Sequence, residues 1–312
     1  MTALTNLQKA QSKNKSIICL GLDPDPRKIP GDFGKTTKGM FDFLMRIIDA
    51  TSDVVCAYKP NAAFYESLGT EGSSLLKLVC DRIPEDVPLI LDAKRGDIGN
   101  TAQHYATAIF DRLHADWVTL NPYMGYDSLR PFLDYKDKGV FILCLTSNNG
   151  AKDFQMLQVD GKPLYHVVAE RVAGWNNEHT CGLVVGATHS DQLRELREVA
   201  GDMPLLIPGV GAQGGSLEDA AVLGTDGFRK TALINVSRSV LYASEQMDFA
   251  QRARAEIIKL NSAVNVLRRG ETETPAPDSQ STQQTQATAN GESSTPTDYA
   301  DDGQSAPDPS AQ

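Results

Sequence analysis

The run Leu89-Ile90-Leu91-Asp92-Ala93-Lys94-Arg95-Gly96-Asp97-Ile98-Gly99-Asn100-Thr101 begins as an apolar strand and ends in ionisable side chains. Residues two apart on a strand face the same way, so the pattern predicts that Asp92 and Lys94 share a face. Asp97 follows just past the strand's end, where Gly96 and Gly99 let the backbone turn. Charges that close a segment built for burial are costly unless paired or put to use. The cluster reads as catalytic, with a structural ion pair at a strand end as the alternative. With Lys59, which closes an earlier apolar run, these residues can form a line of alternating charge. Two carboxylates about 4 Å apart repel by roughly 4 kcal/mol at an effective dielectric of 20, and interleaved lysines offset that. Lysines beside carboxylates stay protonated, so Lys94 suits a proton donor better than a Schiff-base nucleophile. A carboxylate aimed at a substrate carboxylate raises the ground state, and loss of CO2 relieves the strain. A lysine ammonium then stabilises the carbanion and protonates it. The competing use of Asp92 and Asp97 is magnesium binding.

The elements that must position these groups alternate in type. After a short leading helix, strands are predicted at Ser16 to Asp23, Val54 to Lys59, Pro88 to Lys94, Trp117 to Asn121, Val140 to Thr146, Gly182 to Ala187, Pro204 to Pro208 and Leu233 to Val236. Helical spacing follows each one. It runs over Thr37 to Ala50, from an Asn61 cap toward Ile83 with Gly69 to Ser74 as a point of interruption, and near Gly99 to His114. It returns near Asp127 to Tyr135, Leu164 to Asn176, Asp191 to Ala200 and Leu217 to Leu223, and in a final helix ending near Leu267. Eight strand–helix units in one chain predict an α/β fold of the (β/α)8 TIM-barrel type, as a single domain. A doubly wound open sheet is the alternative, although no GxGxxG marks a first strand–helix turn. Asp23, Lys59, Asp92, Lys94, Asn121, Ser147, Gln213 and Arg238 all fall at or just after carboxyl ends of strands, which in a barrel converge on one mouth. Arg238 sits between Ser237 and Ser239 before the last helix, and the loop Gly209-Val210-Gly211-Ala212-Gln213-Gly214-Gly215 follows strand seven. Those two positions suit a phosphate site and a mobile lid.

The chain is not uniform in composition. Residues 270–312 contain no Lys, Arg, Leu, Ile, Val, Phe, Met or Trp. Such an acidic Ser/Thr/Pro/Gln-rich segment has too little apolar surface to offset its ordering entropy and reads as a disordered tail behind a 1–269 domain. It holds eight of the 40 acidic residues, leaving 30 basic against 32 acidic groups in the domain, a charge of −2 where the whole chain has −10. That near-neutral domain argues against nucleic-acid binding. No apolar run has the ~18–20 residues of a membrane span, and Met1 to Ser16 lacks the apolar core of a secretory signal. Cys19, Cys56, Cys80, Cys144 and Cys181 show no paired spacing and read as buried thiols of a reducing, cytoplasmic setting. The five histidines form no HExxH or HxH pattern, so no metal site is expected.

The segment Asp92-Ala93-Lys94-Arg95-Gly96-Asp97-Ile98-Gly99-Asn100-Thr101 resembles the DxKxxDIxxT signature of the orotidine 5′-phosphate decarboxylase family, and the similarity covers roughly residues 14–262. Gly21-Leu22-Asp23-Pro24, Tyr58-Lys59-Pro60-Asn61, Asn121-Pro122-Tyr123-Met124-Gly125, Thr146-Ser147-Asn148 and Pro208-Gly209-Val210-Gly211-Ala212-Gln213 look like the subgroup found in mycobacteria and some other bacteria. DxKxxD alone is shared with related sugar-phosphate decarboxylases. The resemblance implies decarboxylation of orotidine 5′-monophosphate to uridine 5′-monophosphate, the last step of UMP biosynthesis, without metal or organic cofactor. It implies that Asp23 and Lys59 hold the ribose hydroxyls, that Asp92 faces the substrate carboxylate, and that Lys94 protonates C6. Asp97 and Thr101 are implied to reach the neighbouring subunit's site, making a homodimer with shared active sites. Ser147 is implied to contact the pyrimidine and Gln213 to link it to the phosphate, which Arg238 and the Ser237 backbone hold. The chain departs from many relatives in having Leu145 where they carry Arg. Two other readings stay open: a magnesium-dependent sugar-phosphate decarboxylase or aldolase, and a non-catalytic barrel that binds a phosphate ligand.

Overall fold

The structure, a computed structural model, describes residues 1–33, 35–211, 214–225 and 231–270. Eight parallel strands form one sheet: β1 (Ile18–Gly21), β2 (Ala57–Lys59), β3 (Ile90–Arg95), β4 (Trp117–Leu120), β5 (Gly139–Leu145), β6 (Cys181–Val185), β7 (Leu205–Pro208) and β8 (Ala232–Val236). The order around the sheet is β2-β1-β8-β7-β6-β5-β4-β3. Parallel bridges Tyr58–Leu89 and Asn61–Asp92 join its two ends. The ring therefore closes as a (β/α)8 barrel, and the open sheet is excluded.

A leading helix, α1 (Ala3–Asn14), precedes β1. The connections carry α2 (Thr37–Thr51), α3 (Ala62–Glu66), α4 (Gly69–Cys80), α5 (Gly99–Ala106), α6 (Tyr126–Leu133), α7 (Ala151–Phe154), α8 (Leu164–Trp175), α9 (Ser190–Ala200) and α10 (Leu217–Val222). The last helices among the described residues are α11 (Arg238–Leu241) and α12 (Phe249–Gly270). One connection breaks beside the glycine-bearing stretch expected to interrupt it, and two others differ from expectation. The helix capped by Asn61 stops at Glu66 and restarts at Gly69, whose φ of +65° favours glycine. The last helix is split, because Ser244 donates to Asp248 and accepts from the Gln246 N–H in a tight turn. After β5 a small hairpin pairs Gln158–Val159 with Lys162–Pro163. The acidic tail beyond Gly270 lies outside the described residues.

Alternation along the strands fills the barrel. Cys19, Ala57, Ile90, Trp117, Phe141, Val184, Leu206 and Leu233, one from each strand, pack together with Ala3 and Leu7 of α1. The indole of Trp117 stacks on Phe141 with centroids 4.6 Å apart. A Cβ at Gly139 would lie 2.2 Å from that indole, and one at Gly182 would lie 2.7 Å from the Phe141 ring. Those two glycines make room for an aromatic floor, which confines open space to the carboxyl ends of the strands. The five cysteines are buried free thiols.

Candidate active site

The same alternation raises polar groups above the floor. Lys59 has the inward parity of Ala57, Asp92 that of Ile90, and Thr119 that of Trp117. Asp92 accepts at Oδ2 from Lys59 Nζ at 2.9 Å and from Asn61 Nδ2 at 3.3 Å. Its Oδ1 accepts from Lys94 Nζ at 2.5 Å and from Thr119 Oγ1 at 2.9 Å. Four donors occupy the acceptor sites of this carboxylate, which leaves it poorly disposed to ligate a magnesium ion. Burial pushes the Asp92 carboxyl up, but the Lys59 and Lys94 ammonium groups outweigh it and hold it well below the usual carboxylate range. For Lys59 burial favours the neutral amine, yet Asp92 and then Asp23 outweigh that and raise it above the usual lysine value. Asp92 and Lys59 are therefore both charged at neutral pH. The two lysines are not equivalent: the Lys59 side chain is 4% exposed and that of Lys94 is 49% exposed. Lys59 anchors the carboxylate from behind, while Lys94 opens into the cavity.

Lys94 comes to Asp92 by a different route from the one its spacing suggests. The β3–β4 ladder shifts register between Leu91 and Arg95, and Lys94 adopts φ +49°. A non-glycine residue there costs of order 1–3 kcal/mol and persists where its surroundings enforce it. Here the Lys94 N–H donates to Thr119 Oγ1 at 3.0 Å, and the same hydroxyl donates to Asp92. Thr119, buried at 1% exposure, is a site residue that the charge pattern does not reveal. Its parity with Trp117 is the signal that could have found it.

At the end of β1, Asp23 accepts from the Asn61 N–H at 3.1 Å and from Ser237 Oγ at 2.7 Å. Gly21 permits this approach, since a Cβ there would lie 2.8 Å from Ser237 Cβ. Asn61 also caps α3 by accepting from the Ala63 N–H, so one side chain ties a helix start to the Asp92 cluster. Tyr242, likewise unanticipated, donates to the Asp23 carbonyl at 3.2 Å and accepts from the Asp25 N–H.

A cavity of about 890 Å³ unites these groups. Asp23, Lys59, Asp92, Lys94 and Thr119 line one side, Leu143, Val184 and Leu206 line an apolar stretch, and Ser147, Ser237 and Arg238 complete the wall. Arg238 is exposed at the start of α11 and has no ion-pair partner among the described residues. Lys59, Lys94 and Arg238 against Asp23 and Asp92 leave one positive charge in excess, suited to an anionic ligand. Seven of the expected site residues thus meet in one place. Asp97 and Thr101 do not line this cavity: Asp97 accepts from the adjacent Ile98 N–H at 2.8 Å, and Thr101 is exposed on α5. Within a single chain the charge line is Lys59–Asp92–Lys94, because the turn at Gly96 carries Asp97 away. Asn121 also stays outside and caps the turn at Pro122. Gln213 lies outside the described residues. Among the described residues no group of three His, Cys, Asp or Glu side chains is placed to hold a metal ion.

Residues 16–253 match the family model described as Orotidine 5'-phosphate decarboxylase / HUMPS family. The orotidine 5′-phosphate decarboxylase of Cupriavidus necator is 48% identical over 273 residues, covering 86% of this chain and 100% of that protein. That of Herpetosiphon aurantiacus is 52% identical over 253 residues, covering 80% of this chain and 93% of its own. Among solved structures, Leishmania donovani OMP decarboxylase superposes with a TM-score of 0.76 at 40% identity, covering 86% of this chain and 99% of that one.

Proposed function

The chain belongs to the orotidine 5′-phosphate decarboxylase / HUMPS family, and we propose that the cavity above the Trp117–Phe141 floor is where its residues divide the reaction among them. The chain is a carbon–carbon lyase that converts orotidine 5′-monophosphate to uridine 5′-monophosphate and CO2 in pyrimidine biosynthesis. In this reading Arg238 and the Ser237 backbone hold the phosphate, Asp23 and Lys59 hold the ribose hydroxyls, Ser147 contacts the pyrimidine, and Gln213 links it to the phosphate. Binding energy from the remote phosphate places the substrate carboxylate against Asp92. Two such charges about 4 Å apart repel by roughly 4 kcal/mol at an effective dielectric of 20. The bond from C6 to the carboxylate carbon breaks, CO2 departs, and the electron pair remains on C6. The Lys94 ammonium stabilises that charge and transfers its proton to C6. Lys94 is exposed enough to recover a proton from water. The reading calls on no metal or organic cofactor.

The observation that carries this reading is the Lys59–Asp92–Lys94 arrangement, in which a buried carboxylate is kept ionised by two lysines, one of them facing open space. The magnesium-dependent sugar-phosphate alternative fits less well, because the four donors around Asp92 occupy the positions a metal would need. A direct absorbance assay with orotidine 5′-monophosphate in excess EDTA tests the choice. Full turnover is expected, and a complete loss restored by magnesium contradicts it.

The placement of Asp97 and Thr101 away from their own cavity favours a homodimer in which they complete the partner's site. Exposed Ile98, Tyr123, Met124 and Tyr126, on the adjacent connections after β3 and β4, supply apolar surface for such an interface. No helix among the described residues is long and apolar enough to cross a membrane, and the reading places the enzyme in the cytoplasm. Residues 1–269 form the catalytic domain in this reading, with the acidic tail as an appendage, and the quoted motifs support membership of the mycobacterial subgroup.

A further inference from the structure

The turn that presents Ser147 is built in an unusual way. β5 ends at Leu145, whose carbonyl accepts from the Gly186 N–H at 2.7 Å, and the next residue leaves the ladder. Thr146 then has its polar groups satisfied by side chains from elsewhere. Its N–H donates to Gln155 Oε1 at 2.8 Å, and Gln155 Nε2 donates to its hydroxyl at 2.9 Å. That hydroxyl donates onward to Asn148 Oδ1 at 2.6 Å, and the Thr146 carbonyl lies 3.2 Å from His189 Nε2. One amide therefore grips both the backbone and the side chain of the residue directly before Ser147.

Gln155 is itself held firmly. It follows α7, its N–H donates to the Ala151 carbonyl at 2.8 Å, and its carbonyl accepts from the Tyr165 N–H of α8 at 2.9 Å. On the opposite side a Cβ at Gly186 would lie 2.8 Å from the Ser147 nitrogen, so the turn rests directly on the end of β6. Gln155 and Ser147 both line the cavity.

We propose that Gln155 is a positioning residue for base recognition: it locks the Thr146–Ser147 turn so that Ser147 meets the pyrimidine in one geometry. The proposal rests on the reading of the cavity as an orotidine 5′-monophosphate site. The Ser147 nitrogen is three backbone bonds from the gripped Thr146 nitrogen, so loosening the turn costs base contacts and spares the phosphate, which in this reading is held by Ser237 and Arg238 across the cavity. A residue that served only to hold the fold would weaken both halves of the ligand together.

The test compares binding of uridine 5′-monophosphate and of ribose 5-phosphate, the same ligand without its base, by calorimetry on the full chain. Gln155→Ala removes two hydrogen bonds and is expected to weaken uridine 5′-monophosphate roughly 10- to 100-fold. Ribose 5-phosphate affinity should stay within about twofold, the phosphate contacts being intact. Thr146→Val removes only the hydroxyl half of the grip and should give the same selective loss at smaller size, which keeps the test open if Gln155→Ala does not fold. Equal weakening of both ligands, or of neither, overturns the proposal. A wild-type chain that fails to turn over orotidine 5′-monophosphate sinks the underlying reading instead, so the two failures are distinguishable.

Discussion

The hydroxyl of Thr119 accepts the backbone N–H of Lys94 at 3.0 Å and so holds that lysine at φ +49°. The same oxygen donates to Asp92, so one buried side chain sets both the conformation of the lysine and the orientation of the carboxylate it pairs with.

Thr119→Val keeps the size of the side chain and removes the hydroxyl. It leaves the Lys94 N–H without its acceptor and Asp92 with one donor fewer, a change of about 1–3 kcal/mol in stability. Turnover should fall roughly 10- to 100-fold as Lys94 loses its fixed place, with the substrate Michaelis constant changed less. Steady-state kinetics and a thermal melt check both parts, and wild-type turnover contradicts the role.

The Lys59–Asp92 pair should make stability insensitive to pH across the neutral range. The Asp92 carboxyl is depressed in the fold, so its contribution is present above the unfolded value of 3.8 and is lost as pH falls through the folded value. Lys59 is raised, so its contribution is present below the unfolded value of 10.5 and is lost as pH rises through the folded value. The window between those limits should be flat for this pair. Asp92→Asn strips Lys59 of its nearest counter-charge and should cost about 3–5 kcal/mol. With Lys59 then depressed by burial, stability of the variant should rise with pH on the alkaline side. Denaturant melts from pH 5 to 10 check the two profiles, and parallel curves contradict the pairing.

Mixing two inactive variants tests the shared site. If the proposed homodimer shares its sites, Lys94→Ala and Asp97→Ala should each spoil both sites of their own dimer. A mixed dimer has one site with both residues intact, so remixing after mild dissociation should restore about a quarter of wild-type activity. No recovery, with subunit exchange demonstrated, contradicts the crossing of Asp97.

Much of this was legible in the sequence because burial and charge leave local marks. Each strand is an apolar run ended by turn residues, and Asp92 and Lys94 stand out because charges close such a run. The meeting of Asp92 and Lys94 follows from the expected strand face only in outcome: a register shift and a positive φ produce it, and neither has a signature in Ala93-Lys94-Arg95. Thr119 was hidden because threonine is common in strands for its shape alone, and its role depends on which residue β3 brings beside it. The hairpin after α7 is tertiary in origin, since Gln155 is drawn to Thr146, and so is the placing of Tyr242, which turns inward to reach Asp23. Asp97 shows the other limit: its place away from its own cavity depends on how the chain turns at Gly96.

The role proposed for Lys94 is that of proton donor in a site otherwise built to hold the nucleotide. Lys94→Ala, assayed by absorbance with orotidine 5′-monophosphate and by calorimetry with uridine 5′-monophosphate, tests it most directly. Turnover is expected to fall by at least roughly 10³-fold while nucleotide affinity stays within about tenfold. Turnover close to wild type in that variant would contradict it.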